Sequence, residues 1–173
     1  MILVCSTGRA GTSEVARILI ELGVNMGKRH NKGDKFNPKG YFEDKDFQEI
    51  NIMYAMIKGS PQGEKIWKER FNKLVVKRKE PWGLKDPGIA DFPQLLEHYL
   101  NLKPQAILCT RNKTDTVNSF MRMKNITQEQ AERIYDNRTQ NLKVLKGHLT
   151  IDCYETNKKE KIWKWMKKNN KHQ

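Results

Sequence analysis

Cysteine is scarce in this chain of 173 residues. Cys5, Cys109 and Cys153 form an odd, scattered set, each inside a short apolar run. Such a set provides no disulfide framework and no metal-ligand spacing. It reads as buried structural thiols in a reducing compartment. Long hydrophobic runs are also missing. The apolar stretch 2–5 is far shorter than a signal-peptide core or a membrane span. The expected location is therefore cytoplasmic, with no membrane partner. Negative charge is in short supply: 20 Asp and Glu stand against 33 Lys and Arg, a net charge of +13. An excess of that size implies an anionic partner, whether nucleic acid, an anionic surface or a multiply charged small molecule. No recognised nucleic-acid motif is present, and the aromatic residues fall mostly on apolar stripes. Lys- and Asn-rich stretches recur without a fixed period.

What remains is enough for one globular domain. Hydrophobic residues make up 37% and charged residues 31%, and the apolar ones come in periodic blocks. The expected organisation is a single domain over 1–173 with a polar, frayed tail at 167–173. Residues 2–5 read as a strand buried on both faces. After the next few residues, Val15, Ile18, Leu19 and Leu22 follow at helical spacing, with Gly23 as a stop. Residues 24–42 read as a long loop, a rarity that is often functional. Asp44 suits the cap of a second helix striped by Phe47, Ile50, Tyr54 and Ile57, a role worth about a kilocalorie. A charged helix follows, after a break at 59–63. A short strand is expected at 82–85, a helix opened by Asp91, a strand at 105–110, and a helix through Val117, Phe120 and Met121. Thr127 and Gln130 form a capping-box pattern for a long helix. The last strand is expected at 149–154, followed by a helix striped by Ile162, Trp165 and Met166. Strands alternating with helices predict an α/β fold with a mostly parallel central sheet flanked by helices.

The chemistry concentrates in the first strand-to-helix loop, Thr7-Gly8-Arg9-Ala10-Gly11-Thr12-Ser13. In such folds ligands sit beyond the carboxyl ends of the strands. Gly8 and Gly11 permit the sharp turn, Thr12 and Ser13 add hydroxyls, and Arg9 adds a full charge. The helix N-terminus adds a partial one. Together they describe a phosphate cradle. It is not the nucleotide-triphosphate pattern G-x-x-x-x-G-K-[ST], because no lysine precedes Thr12.

The segment from Gly8 to Ser13 resembles the 5′-phosphosulfate loop of sulfotransferases that use 3′-phosphoadenosine 5′-phosphosulfate as donor, with Ala10 where the family usually has serine. The resemblance implies a P-loop NTPase-like sulfotransferase fold. It also implies that Gly8, Arg9, Ala10, Gly11, Thr12 and Ser13 bind the donor, with Arg9 contributing to catalysis. Arg111 at a strand end and Ser119 on the following helix look like the family's 3′-phosphate site. Asn37-Pro38-Lys39-Gly40-Tyr41-Phe42-Glu43-Asp44 resembles a bacterial segment whose glutamate is the base. That makes Glu43 the expected proton acceptor and His30 the second choice. Lys85, in Leu84-Lys85-Asp86-Pro87, resembles the strand-end lysine that contacts the transferring sulfonate or its bridging oxygen. The residue-level alternative for Lys85 is an ion pair with Asp86 or another acid. No metal is implied, and the partners are a small-molecule donor and an acceptor, carrying a hydroxyl or an amine, that the sequence does not identify. A basic, glycine-containing segment that covers the donor's adenosine in the family has no counterpart after Gly147, which leaves three expectations open: weak donor binding, closure of the site by another element, or loss of catalysis. Two rival readings remain: a nucleotide or small-molecule kinase of related topology, and a non-catalytic nucleic-acid binder.

Overall fold

The computed structural model describes residues 1–27, 32–57, 60–145 and 148–169. Its sheet has four parallel strands, β1 (Ile2–Ser6), β2 (Gly83–Lys85), β3 (Gln105–Thr110) and β4 (Leu149–Asp152), in the order β2-β1-β3-β4. All five residues of β1 are buried. Because side chains alternate across a strand, Leu3 and Cys5 enter one apolar layer while Ile2 and Val4 enter the other. Helices α1 (Thr12–Glu21) and α7 (Lys158–Asn169) cover the Ile2/Val4 face. The Leu3/Cys5 face is covered by α2 (Lys45–Ile57), α3 (Pro61–Val76), α4 (Pro93–Leu100) and the end of α6 (Gln128–Leu142). A third cluster of Val117, Phe120 and Ala131 joins α5 (Lys113–Lys124) to α6.

Several expectations shift locally. β2 begins at Gly83; Trp82 makes an isolated bridge with Asn25, and its carbonyl accepts from the Ile2 N–H at 2.9 Å. β4 ends at Asp152, where the chain turns so that Tyr154 N–H can bond the Asp152 carboxylate. Asp91 does not open a helix. Pro87 starts a 3-10 turn over Pro87–Asp91 and α4 begins after it, while the Asp91 carboxylate pairs with Arg138. Ser60 caps α3 through the Gly63 N–H, so Gly63 sits within the first helical turn. The tail is helical as far as Asn169. Thr127 and Gln130 do form the reciprocal capping box. Cys5 and Cys109 are buried, and burial pushes the Cys5 thiol up to about 12, but Cys153 is only half-buried.

Asp44 does more than cap. Its carboxylate accepts from Asp46 N–H at 3.0 Å and is ion-paired with Arg78, both side chains being largely sequestered. Arg78 also lies over the Phe47 ring. Breaking a buried pair costs roughly 3–5 kcal/mol, less where a second acid remains; Asp46 stands 3.7 Å from Arg78. Asp44→Asn should therefore lower the unfolding free energy by about 2–3 kcal/mol, not the kilocalorie of a simple cap. A shift in the urea midpoint at constant slope measures this.

Candidate functional site

Three strand ends build the site. At the end of β1 the chain turns through left-handed backbone at Gly8 (φ 105°), Arg9 (φ 54°) and Gly11 (φ 77°). Turns of this kind can gather backbone N–H groups into a concave anion nest. A Cβ at Gly8 would lie 2.5 Å from the Phe120 ring and 2.6 Å from the Arg138 guanidinium, so the position tolerates only glycine. The Gly8 N–H is held by Ser6 Oγ at 2.9 Å. Gly11 supplies no side-chain cap to α1. The Glu14 N–H bonds the Gly11 carbonyl at 3.0 Å, and the residues before it, Gly11, Thr12 and Ser13, line a cleft of about 840 Å³.

β2 delivers Lys85 to the same place. Its buried Nζ donates to Glu43 Oε1 (2.7 Å), to the Tyr41 carbonyl (2.7 Å) and to Ser13 Oγ (3.3 Å). Burial holds the Lys85 ammonium below the usual lysine range, with the Glu43 charge opposing that shift. Glu43 is half-buried, and its other oxygen accepts from Gln48 at 2.9 Å. The acid paired with Lys85 is thus Glu43. Asp86, the next residue, accepts from Gly88 N–H and from Asn51 Nδ2. Desolvation, then the Glu43 charge, pushes its carboxyl up.

The loop at 32–43 closes one side. Asp34 accepts from Phe36 N–H, Asn37 N–H and Tyr41 O–H, while Asn37 Nδ2 reaches Ser13 Oγ at 3.0 Å and the Gly40 carbonyl at 2.6 Å. His30 lies outside the described residues.

Arg111 and Ser119 meet the loop from two sides. Ser119 Oγ accepts from Arg9 Nε at 3.0 Å, and Arg111 Nη1 donates to the Arg9 carbonyl at 3.3 Å. The pair is therefore joined through Arg9. Arg111 Nε also donates to Tyr154 O–H at 3.2 Å and has Asp115 at 3.8 Å. Arg111 lines a second cavity of about 280 Å³, with Thr7, Tyr135, Lys143 and His148.

Three supporting residues escaped the sequence reading. Arg138 is buried, donates to the Thr7 carbonyl at 3.1 Å and pairs with Asp91. Asn51 is buried and links Asp86, Tyr99 and Trp67. Lys158 is buried and ties Glu14 of α1 to the Cys153 carbonyl. For the first two a signal existed: each polar residue interrupts an apolar stripe at helical spacing, Arg138 between Ile134 and Leu142, Asn51 between Phe47 and Tyr54. Among the described residues no group of three or more His, Cys, Asp or Glu could hold a metal ion, and no helix is long and apolar enough to cross a membrane.

No family model matches the sequence, and no curated protein matches it. Solved structures do. Shikimate kinase from Bacteroides thetaiotaomicron superposes with a TM-score of 0.59 at 8% identity, over 98% of this chain and 97% of that one. The sulfotransferase domain from the curacin biosynthetic pathway superposes with a TM-score of 0.52 at 16% identity, over 88% of this chain and 66% of that domain. TT1252 from Thermus thermophilus gives 0.53 at 11% identity, over 97% and 96%. At such identities the likeness is one of fold. The chain has a P-loop-like α/β fold, with a parallel sheet flanked by helices, of a kind found in both a kinase and a sulfotransferase.

Proposed function

We propose that the protein is a sulfotransferase that moves a sulfuryl group from 3′-phosphoadenosine 5′-phosphosulfate to an acceptor hydroxyl. The observation that carries this reading is the placement of Lys85. A nucleotide-triphosphate loop holds its lysine just before the Ser/Thr; here Gly11 has that position, and the cation reaches Ser13 from the neighbouring strand, already paired with a carboxylate. The reading is supported by the meeting of Ser13 of the loop, the Lys85 ammonium and the Glu43 carboxylate in one cleft. The loop N–H groups and Arg9 hold the 5′-phosphosulfate, and Arg111 and Ser119 take the 3′-phosphate. Glu43 accepts the hydroxyl proton as the new O–S bond forms. The bond from sulfur to the bridging oxygen breaks, and Lys85 covers the charge left on that oxygen. The other product is adenosine 3′,5′-bisphosphate, and nothing is oxidised or reduced. Cytoplasmic location belongs to the same proposal, on the strength of three free thiols.

Binding gives the first test. Adenosine 3′,5′-bisphosphate should raise the melting temperature more than adenosine 5′-monophosphate does, because only the former engages Arg111. A ligand at a hundred times its dissociation constant adds about 2.7 kcal/mol. Arg111→Ala should erase the difference between the two nucleotides. Equal shifts for both in the unmodified protein would remove the 3′ site.

The second reading, a small-molecule kinase, is favoured by the likeness to shikimate kinase over nearly the whole of both chains and by Asp86 at the end of β2. It predicts the larger shift for ATP with magnesium. Single-stranded DNA completes the comparison: a shift there alone, lost steeply with salt, would favour nucleic-acid binding.

A further inference from the structure

We propose that the acceptor is a hydroxyl carried on an apolar body, an aliphatic or aromatic alcohol, and not a sugar. This rests on the sulfuryl-transfer reading and names the substrate class for the same cleft. The lining of the cleft is of two chemical kinds. The loop, Lys85, Glu43 and Asp86 are charged or polar; Ile52, Ala55 and Met56 of α2, Phe92, Leu95 and Met123 of α5 are apolar. Ile52 is 52% exposed and Met56 80% exposed. They stand four residues apart on one helix and so share a face. Single exposed apolar residues are ordinary. Here they gather at the mouth of the cavity that also contains the charged groups, and gathered patches of this kind mark binding sites.

The polar groups beside these apolar residues favour an apolar body over a sugar. The polar residues that α2 contributes to the lining are Gln48 and Asn51, and α5 contributes Lys124, whose ammonium lies over the Phe120 ring. Asn51 Nδ2 donates to Asp86 Oδ2 and to Tyr99 Oη, and its Oδ1 accepts from Trp67 Nε1. Gln48 Nε2 is committed to Glu43. A sugar buried here would bring several hydroxyls against methyl, thioether and ring surface, and each unpaired one costs free energy. An alcohol with one hydroxyl has one polar group to satisfy. Directed to Glu43, that oxygen gives up its proton and takes the sulfuryl group, while the body lies against Ile52 and Met56. Two methionines in the wall can adapt to bodies of different outline.

The test uses the full chain without donor. 2-Naphthol, 1-octanol and methyl β-D-glucopyranoside are each titrated by calorimetry, and adenosine 3′,5′-bisphosphate is scored separately by thermal shift. At least one of the two alcohols should bind with one-to-one stoichiometry, and the stronger of them identifies an aromatic or an aliphatic body. The glucoside should bind at least about tenfold more weakly, and the double variant Ile52→Gln/Met56→Gln should lose about tenfold or more in alcohol affinity. Its bisphosphate shift should match that of the unmodified protein, which also shows that the variant is folded. Glucoside binding as tight as that of the alcohols, or unchanged alcohol affinity in the double variant, overturns the proposal. Alcohol binding that depends on Ile52 and Met56, in a protein the bisphosphate does not stabilise, upholds the apolar site and removes sulfuryl transfer.

Discussion

Glu43→Gln should lower sulfuryl transfer by 10²- to 10⁴-fold, the usual worth of a positioned general base. The substitution keeps the size of the side chain and leaves an amide oxygen to accept from Lys85, but it cannot take a proton. Donor affinity should change little, because the phosphate contacts are assigned to the loop, Arg9, Arg111 and Ser119. Glu43 differs from an exposed helix-start acid in its surroundings. It is half-buried, Lys85 Nζ donates to one oxygen and Gln48 to the other, and Ser13 of the glycine loop touches the same ammonium. A base held on both oxygens is fixed in orientation, which positions it for a single line of approach. The measurement is transfer of labelled sulfate to an alcohol acceptor, alongside bisphosphate affinity for each variant. Arg9→Ala is the contrast, since it should weaken donor binding as well as rate. If Glu43→Gln keeps near-normal turnover and His30→Ala abolishes it, the base is His30.

The parts of this site that could be read in the sequence are those set by local backbone chemistry. Gly8 and Gly11 mark the turn because left-handed conformations are cheap only for glycine, and the structure has both there. The unbroken apolar run at the start foretells a strand buried on two faces, and β1 is one. Asp91 shows the limit of such reasoning. A carboxylate before an apolar stripe looks like a cap, yet Pro87 sets a 3-10 turn and Pro93 begins the next helix. The partner that claims Asp91 is Arg138, 47 residues away. Asp44 likewise looked like a cap worth a kilocalorie, and its ion pair with Arg78 is visible only when α2 is packed. The pairing of Lys85 with Glu43 spans 42 residues. Spacing along the chain carries no information about contacts of that range. A family motif can suggest them, and the strand order then decides which acid the lysine meets.

Fold likeness alone leaves sulfuryl and phosphoryl transfer side by side, since both ask for an anion nest, a cation and an in-line approach. What favours the proposed sulfuryl transfer is where the cation comes from. Lys85 descends from β2, one strand over from the loop, and pairs with the Glu43 carboxylate. A lysine so placed reaches Ser13 of the loop and the Glu43 carboxylate together, which is where the proposed transfer would carry the group from donor to acceptor.

Lys85→Met should therefore cost 10²- to 10³-fold in turnover, the usual loss when one preorganised donor to a developing negative charge is removed. Methionine fills much of the same space, so the loss reports the ammonium and not a cavity. The pH profile distinguishes this role from a merely structural one. Burial depresses the Lys85 pKa below the ordinary lysine value of about 10.4. The protonated form is the one that covers the leaving oxygen, so turnover should fall as pH rises through the depressed value, below the range where ordinary lysines titrate. Stability should move the other way. Between the folded and unfolded pKa values the unfolded chain binds more protons at this site than the folded one, and the Lys85 contribution to unfolding free energy rises with pH over that window. Activity that declines while the urea midpoint holds or increases is thus the expected signature. Lys85→Arg should retain measurable turnover and lose the alkaline limb, because a guanidinium stays protonated throughout. Turnover within tenfold of normal in Lys85→Met, or an unchanged alkaline limb in Lys85→Arg, would take the lysine out of the chemistry and leave it as the partner that holds Glu43 in place.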